Sequence, residues 1–187
     1  MRLIILGPPG SGKGTQAERL AAQANIPHIS TGELLREAIS QKTSLGNEAQ
    51  NFVESGDLVP DSLVIALMRE RLGKQDAQQG WILDGFPSNL TQAHALDSLL
   101  QIMGQPYGTV LNLNVDPDQL MQRMLQRGRQ DDQKEVIEQR LAVYQQQTAP
   151  LIDFYQRRRC LAHVDGNPSL ELVGRAVQAA LRPLVAA

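Results

Sequence analysis

Short apolar runs alternate along this chain with longer stretches whose apolar residues recur every three or four positions. The runs Arg2–Leu6, Pro27–Ile29, Trp81–Asp84, Thr109–Val115 and Cys160–Asp165 predict strands. Three are near-continuously apolar, as strands covered by helices on both faces must be. Strands separated by helical stretches are the pattern of βαβ units, so the expected class is α/β with a parallel sheet.

The helix starts carry their own signals. Ser30 with Glu33 forms a capping-box pattern ahead of Leu34, Leu35, Ala38 and Ile39. Asp116-Pro117 with Gln119 predicts an N-cap, a first-turn proline and an amide that bonds back to the cap. Asn167-Pro168 opens a C-terminal helix bearing Leu172, Val173 and Val177, and the stretch Asp132–Arg157 is helical with a break before Pro150.

Size and charge narrow the function. A chain of 187 residues fits one domain carrying small inserts. Acidic residues number 20 and basic ones 18, which argues against general affinity for nucleic acid or a membrane surface. Any anion site must therefore be built locally. The single cysteine, Cys160, excludes an internal disulfide and a multi-cysteine zinc site, and its place beside Leu161–Val164 predicts a buried, inert thiol. The run Leu3–Leu6 is too short for a signal segment and no run approaches a membrane span, so a cytoplasmic protein is expected. His28, His94 and His163 have no metal or triad spacing and read as structural or surface residues. Arg157-Arg158-Arg159 reads as a solvated helix end.

The chemistry starts at Gly7-Pro8-Pro9-Gly10-Ser11-Gly12-Lys13-Gly14-Thr15, between the first apolar run and the helical stretch Gln16–Ala24. Glycines let backbone N–H groups curl around phosphate oxygens, and the helix N-terminus adds its positive end. Lys13 brings a point charge that reaches the outer phosphates. The segment departs from G-x4-G-K-[ST] in one place, since Gly14 follows the lysine and the hydroxyl arrives at Thr15. A glycine-rich turn without a ligand is the bland alternative, but strand, spacing, lysine and helix all agree. The loop predicts a nucleoside triphosphate and leaves the acceptor open.

Further segments keep an order and spacing: Ser30-Thr31-Gly32-Glu33-Leu34-Leu35-Arg36, Gly56-Asp57-Leu58-Val59-Pro60-Asp61, Leu83-Asp84-Gly85-Phe86-Pro87, Gln92-Ala93, Arg127-Gly128-Arg129 with Asp131-Asp132, and Gln139-Arg140-Leu141. Together with the loop they resemble an adenylate kinase over nearly the full chain. The resemblance implies a three-layer P-loop kinase fold, with a five-stranded parallel sheet flanked by helices. It implies a core of residues 1–29, 60–125 and 133–187, a nucleoside-monophosphate insert at 30–59 and a short lid at 126–132. It also implies a monomer whose partners are ATP, AMP and ADP, carrying out reversible, magnesium-dependent phosphoryl transfer from ATP to AMP.

By the same resemblance, Gly10, Ser11, Gly12, Lys13, Gly14 and Thr15 hold the ATP phosphates. Arg123 stacks on the ATP adenine, Arg127 touches the phosphates and Pro168 completes that site. Thr31, Leu58 and Val59 line the AMP base and ribose, with Asp57, Gly85, Phe86, Pro87, Ser88 and Gln92 around them. Arg36 holds the AMP phosphate, and Arg129 and Arg140 brace the transferring group. Lys13, Arg36, Arg127, Arg129 and Arg140 are then the catalytic set.

Each residue also has an ordinary reading. Arg36 suits a solvated charge on a short amphipathic helix. The other arginines suit salt bridges with Asp131, Asp132 or Glu135. Asp84 ends an apolar strand, at the edge where open α/β sheets bind ligands, and can hold magnesium through water. A turn or cap aspartate is the alternative there. Gln92 offers a donor and an acceptor, and the resemblance implies that it reads adenine, since pyrimidine-specific relatives carry asparagine.

Two departures from the family pattern stand out. A single glycine, Gly128, separates Arg127 from Arg129, which makes the lid minimal and leaves no place for a zinc staple. Ser88-Asn89 follows Pro87, where the family places an arginine that grips the acceptor phosphate. Losing one charge-assisted bond of roughly 1.5–3 kcal/mol lowers acceptor binding or turnover by about ten- to a hundredfold. Two rivals therefore accompany the main reading: a kinase for another nucleoside monophosphate, and a weakly catalytic adenylate sensor.

Overall fold

Five strands, β1 (Arg2–Leu6), β2 (His28–Ser30), β3 (Trp81–Asp84), β4 (Thr109–Asn114) and β5 (Leu161–Asp165), pair in parallel in the order β2-β3-β1-β4-β5. The computed structural model describes residues 1–185. Each strand lies within a residue of its apolar run. β2 begins at His28 rather than Pro27, because proline has no N–H to give the ladder; its carbonyl still accepts from Ile82 N–H at 3.0 Å.

Period-two alternation splits the central strands between two cores. Ile4, Leu6 and Leu83 face Val64, Met68 and Leu72 of α4 (Asp61–Leu72), Leu96 of α5 (Leu90–Met103) and Tyr155 of α8 (Pro150–Arg157). Leu3, Ile5 and Ile82 face Ala17 and Leu20 of α1 (Lys13–Ala24) and Val173 and Val177 of α9 (Leu170–Val185). Helices thus cover both faces of the sheet, which gives the three-layer α/β architecture expected. A satellite core of Leu120, Met124 and Ile137 joins α6 (Pro117–Arg127) to α7 (Lys134–Val143). Among the described residues no helix is long and apolar enough to cross a membrane.

Local signals hold unevenly. Ser30 Oγ accepts from Glu33 N–H at 3.4 Å and starts α2 (Thr31–Ser40), which packs on α3 (Ser44–Ser55). At α6 the expected back-bonding amide is absent. Asp116 N–H donates instead to Asn167 Oδ1 at 2.9 Å, and Gln119 Oε1 accepts from Arg123 Nη2 at 2.9 Å. One tertiary partner, Asn167, and one i,i+4 partner within α6, Arg123, have displaced the expected pairing, and the Asp116 side chain makes no capping bond. The break before Pro150 takes the form of a π-turn over Tyr144–Thr148 between α7 and α8. Arg158 is more than a solvated helix end, since it donates to Asp97 Oδ2 and lies 3.9 Å above the Phe154 ring. Cys160 is half-buried; its Sγ lies 3.6 Å from Tyr155 O, and burial pushes its thiol up.

Register decides where the chemistry gathers. Ile5 and Ser30 both pair with Asp84, Leu6 with Asn112, and Asn114 with Asp165. All five strands therefore end at one edge, and the loops leaving them share it.

Candidate active site

One cavity of about 530 Å³ opens at that edge. Its floor is the glycine loop. Gly10 holds φ +83°, and a Cβ built there would lie 2.9 Å from Leu120 O, so the loop takes this path against α6 only with glycine. Gly12 precedes Lys13, the first residue of α1, and the start of α1 points its free N–H groups into the cavity.

Of the residues nominated by sequence, Gly10, Gly12, Lys13, Gly14, Thr15, Thr31, Arg36, Asp57, Leu58, Val59, Asp84, Gly85, Pro87, Ser88, Gln92, Arg123, Arg127, Arg129 and Arg140 line this cavity. Three do not. Ser11 is buried with its hydroxyl unpartnered, Phe86 packs into the core, and Pro168 is exposed on the loop before α9.

Six cations converge here, and most are already engaged. Lys13 Nζ donates to Pro8 O at 3.0 Å. Burial draws its pKa below the ordinary lysine value, with Asp84 opposing and Arg140 and Arg127 adding to the fall. Arg123 donates to Gly166 O at 3.0 Å and Asn167 O at 3.2 Å. Arg127 grips Asp132 through Nε at 2.8 Å and Nη2 at 2.6 Å. Arg140 Nη1 lies 2.8 Å from Asp131 Oδ2 and 3.4 Å from Asp132 Oδ1. The salt-bridge alternative thus holds for Arg127 and Arg140, through Asp131 and Asp132 and not Glu135.

Arg36 and Arg129 differ. Neither guanidinium has a hydrogen bond or ion pair among the described residues. Burial lowers the Arg36 pKa first and the charge of Arg129 second, while Asp131 and Glu33 raise it. Two unpaired, mutually repelling guanidinium groups facing one cavity make a site for a dianion.

Asp84 is 9% exposed at the tip of β3, and a Cβ on Gly14 would lie 3.3 Å from its Oδ2. That oxygen also lies 3.5 Å from His28 Nε2. Burial pushes His28 down, but the attraction of the Asp84 carboxylate outweighs it and raises the pKa. Spacing along the chain gives no hint of this pair, because it forms only once β2 lies beside β3. Sequence reasoning also missed Tyr144 and Thr148 of the π-turn, which line the cavity beside Ser88. Burial pushes the Tyr144 phenol up to about 12, which keeps it neutral.

Ser88 is fully committed. Its Oγ donates to Gly85 O at 2.7 Å, its N–H to Gln92 Oε1 at 2.7 Å, and its carbonyl accepts from Thr148 Oγ1 at 2.7 Å. Asp57 turns its carboxylate toward Gln139 Nε2 at 2.7 Å and Ser55 Oγ at 2.9 Å.

Known proteins share this plan. The family model described as adenylate kinase matches residues 5–160. The chain is 53% identical to adenylate kinase 1 of Nostoc sp. (strain PCC 7120), covering 96% of this chain and 98% of the relative. It is 49% identical to adenylate kinase 1 of Synechocystis sp. (strain PCC 6803), covering 97% of each. Against the adenylate kinase of Thermobifida fusca the figures are 44% identity, 97% of this chain and 98% of the relative. A glycine loop at the sheet edge and cations converging over it match this depth of likeness along the chain. The chain belongs to the adenylate kinase family.

Proposed function

We propose that this protein transfers a phosphoryl group reversibly from ATP to AMP, giving two ADP, by positioning the nucleotides and neutralising charge. The observation that carries the reading is the pair Arg36 and Arg129, unpaired among the described residues, in a cavity that they share with the glycine loop, Lys13, Arg123, Arg127 and Arg140.

Phosphoryl transfer needs alignment and charge stabilisation more than covalent chemistry. The loop N–H groups, Lys13 and Thr15 hold the donor phosphates, with Arg123 beside the donor base. Arg36 and Arg129 take the acceptor phosphate, near Thr31, Leu58, Val59, Gly85 and Gln92. Arg127 and Arg140 leave Asp131 and Asp132 for the oxygens of the transferring group, exchanging one set of anionic partners for another. The acceptor is already an anionic phosphate, so no side-chain base is required. Closure of residues 30–59 and 126–132 over the nucleotides would exclude water and strengthen each of these contacts. The reading carries with it a cytoplasmic monomer, the state that the resemblance implies.

Magnesium fits the residues present. No group of three or more metal-ligating side chains occurs among the described residues. A lone carboxylate suits an ion that keeps its waters and arrives on nucleotide phosphates. Asp84, buried at the strand tip beside Gly14, would hold such an ion through water, and the ion would neutralise phosphate charge.

The test is ADP formation from ATP with AMP, GMP, CMP or UMP as acceptor, in the presence of magnesium. Turnover with AMP well above the others is expected. Binding of AMP without turnover would sink the enzyme reading and favour the sensor, which the committed hydrogen bonds of Ser88 support. Equal turnover with CMP or UMP would sink the AMP assignment.

A further inference from the structure

The amide of Gln92, 1% exposed, is held by two partners that each work in one direction. Ser88 N–H can only donate, and it reaches Oε1 at 2.7 Å. The carboxylate of Asp61 can only accept, and its Oδ1 takes Nε2–H at 2.8 Å. Hydrogen-bond chemistry therefore fixes which end of the amide is oxygen. Asp61 is anchored in turn, because Asn89 Nδ2 donates to the same oxygen at 2.9 Å while Asn89 Oδ1 caps α5 on Gln92 N–H at 2.9 Å. Gln92 lines the cavity and Asp61 stands behind it as the first residue of α4.

One lone pair on Oε1 and one hydrogen on Nε2 remain for a ligand. We propose that Asp61 is the positioning residue that sets which purine edge the acceptor pocket reads. This rests on the reading that Gln92 faces the acceptor base. With the amide fixed, Oε1 accepts from an exocyclic 6-amine and Nε2 donates to an unprotonated ring nitrogen. A 6-oxo purine presents the reverse pattern, an oxygen beside a ring N–H. Accepting it requires the amide to turn over, which would set Oε1 against the Asp61 carboxylate and NH₂ against Ser88 N–H. Rejection of the wrong base thus comes from unpaired and opposed polar groups behind the pocket rather than from a clash within it.

AMP and IMP differ at this edge alone and make the probes. Their dissociation constants are measured by calorimetry on the full chain and on Asp61→Asn, Asp61→Ser and Gln92→Ala, so no turnover is needed. Asparagine and serine at 61 can each donate or accept, which frees the amide to turn. The preference for AMP over IMP is expected to fall roughly tenfold or more in both Asp61 variants, the equivalent of about 1.4 kcal/mol. A loss of folded protein lowers the active fraction for both ligands alike and leaves this ratio unmoved. An unchanged ratio in both Asp61 variants, with a lowered one in Gln92→Ala, would overturn the role of Asp61 and leave Gln92 as base reader. An unchanged ratio in Gln92→Ala would overturn the base reading and this proposal with it.

Discussion

Asp132 accepts Nε and Nη2 of Arg127 at 2.8 and 2.6 Å, and its side chain is fully buried while that of Arg127 is 31% exposed. Arg129 N–H adds a third bond to the same carboxylate at 3.1 Å. One acid thus ties the end of α6, the turn after it and, through Arg140, the face of α7. The segment between Arg127 and Asp132 has almost no length of its own, and this carboxylate gives it a shape.

Breaking a buried ion pair costs about 3–5 kcal/mol, and the partial exposure of Arg127 reduces that to about 1–3 kcal/mol for Asp132→Asn. Urea unfolding at pH 7 measures it. The acid limb gives a second reading. Burial alone pushes the carboxyl up, but the hydrogen bond from Arg127, the Arg129 N–H and the arginine charges win and hold it low. A depressed pKa stabilises the fold above the unfolded value of about 3.9 and loses that contribution as pH falls through the lower folded value. Below about pH 4 the native chain should therefore lose stability more steeply than Asp132→Asn.

His28 has the opposite sign. Its raised pKa stabilises the fold fully below about pH 6.5 and less as pH rises through the folded value. Denaturation of the native chain at pH 6 and pH 9 should differ by a few tenths to about 1 kcal/mol more than that of His28→Gln. Parallel behaviour of the two proteins would mean that the Asp84 contact does not hold the charge.

Ser88→Arg places a cation on the side of the cavity proposed to take the acceptor. With the hydroxyl of Ser88 spent on Gly85 O, the native residue has no side-chain donor left for a phosphate. The substitution should raise kcat/KM for AMP by about ten- to a hundredfold and leave KM for ATP unmoved. Steady-state kinetics with each nucleotide varied in turn checks both halves. Equal rates would show that Arg36 and Arg129 suffice.

Arg158→Met keeps most of the aliphatic stem and removes the bond to Asp97 and the stacking on Phe154. Stability should fall by about 0.5–1.5 kcal/mol. ADP formation at a temperature well below Tm should not change, because none of these residues lines the cavity. A fall in rate at full folding would contradict the separation of this cluster from the site.

The glycine loop was legible because its parts are neighbours in sequence, from the apolar strand through Lys13 to the helix. Asp84 was legible because a strand end announces a sheet edge. Pairings set by the sheet order and by helix packing were not. His28 meets Asp84 only when β2 lies beside β3, and Asp61 meets Gln92 across 31 residues. The arginines near 127 and 140 had three acids within reach by spacing alone, and packing of α7 on α6 chose Asp131 and Asp132. Gln119 failed as a back-bonding amide because two competitors took its partners: Arg123, one turn along the same helix, holds its side-chain oxygen, and Asn167, 51 residues from Asp116, takes the Asp116 N–H.

The π-turn at Tyr144–Thr148 acts as a phase shift. Along an uninterrupted α-helix at about 100° per residue, Arg140 and Leu151 would project within about 20° of each other. One would belong to the wet cavity and the other to the dry core, on the same stripe. The extra residue in the π-turn rotates α8 relative to α7 by roughly 100°. Arg140 then lines the cavity while Leu151 and Tyr155 sink completely into the core. A deletion of one residue within 144–148 would restore the regular period and set the helix against itself.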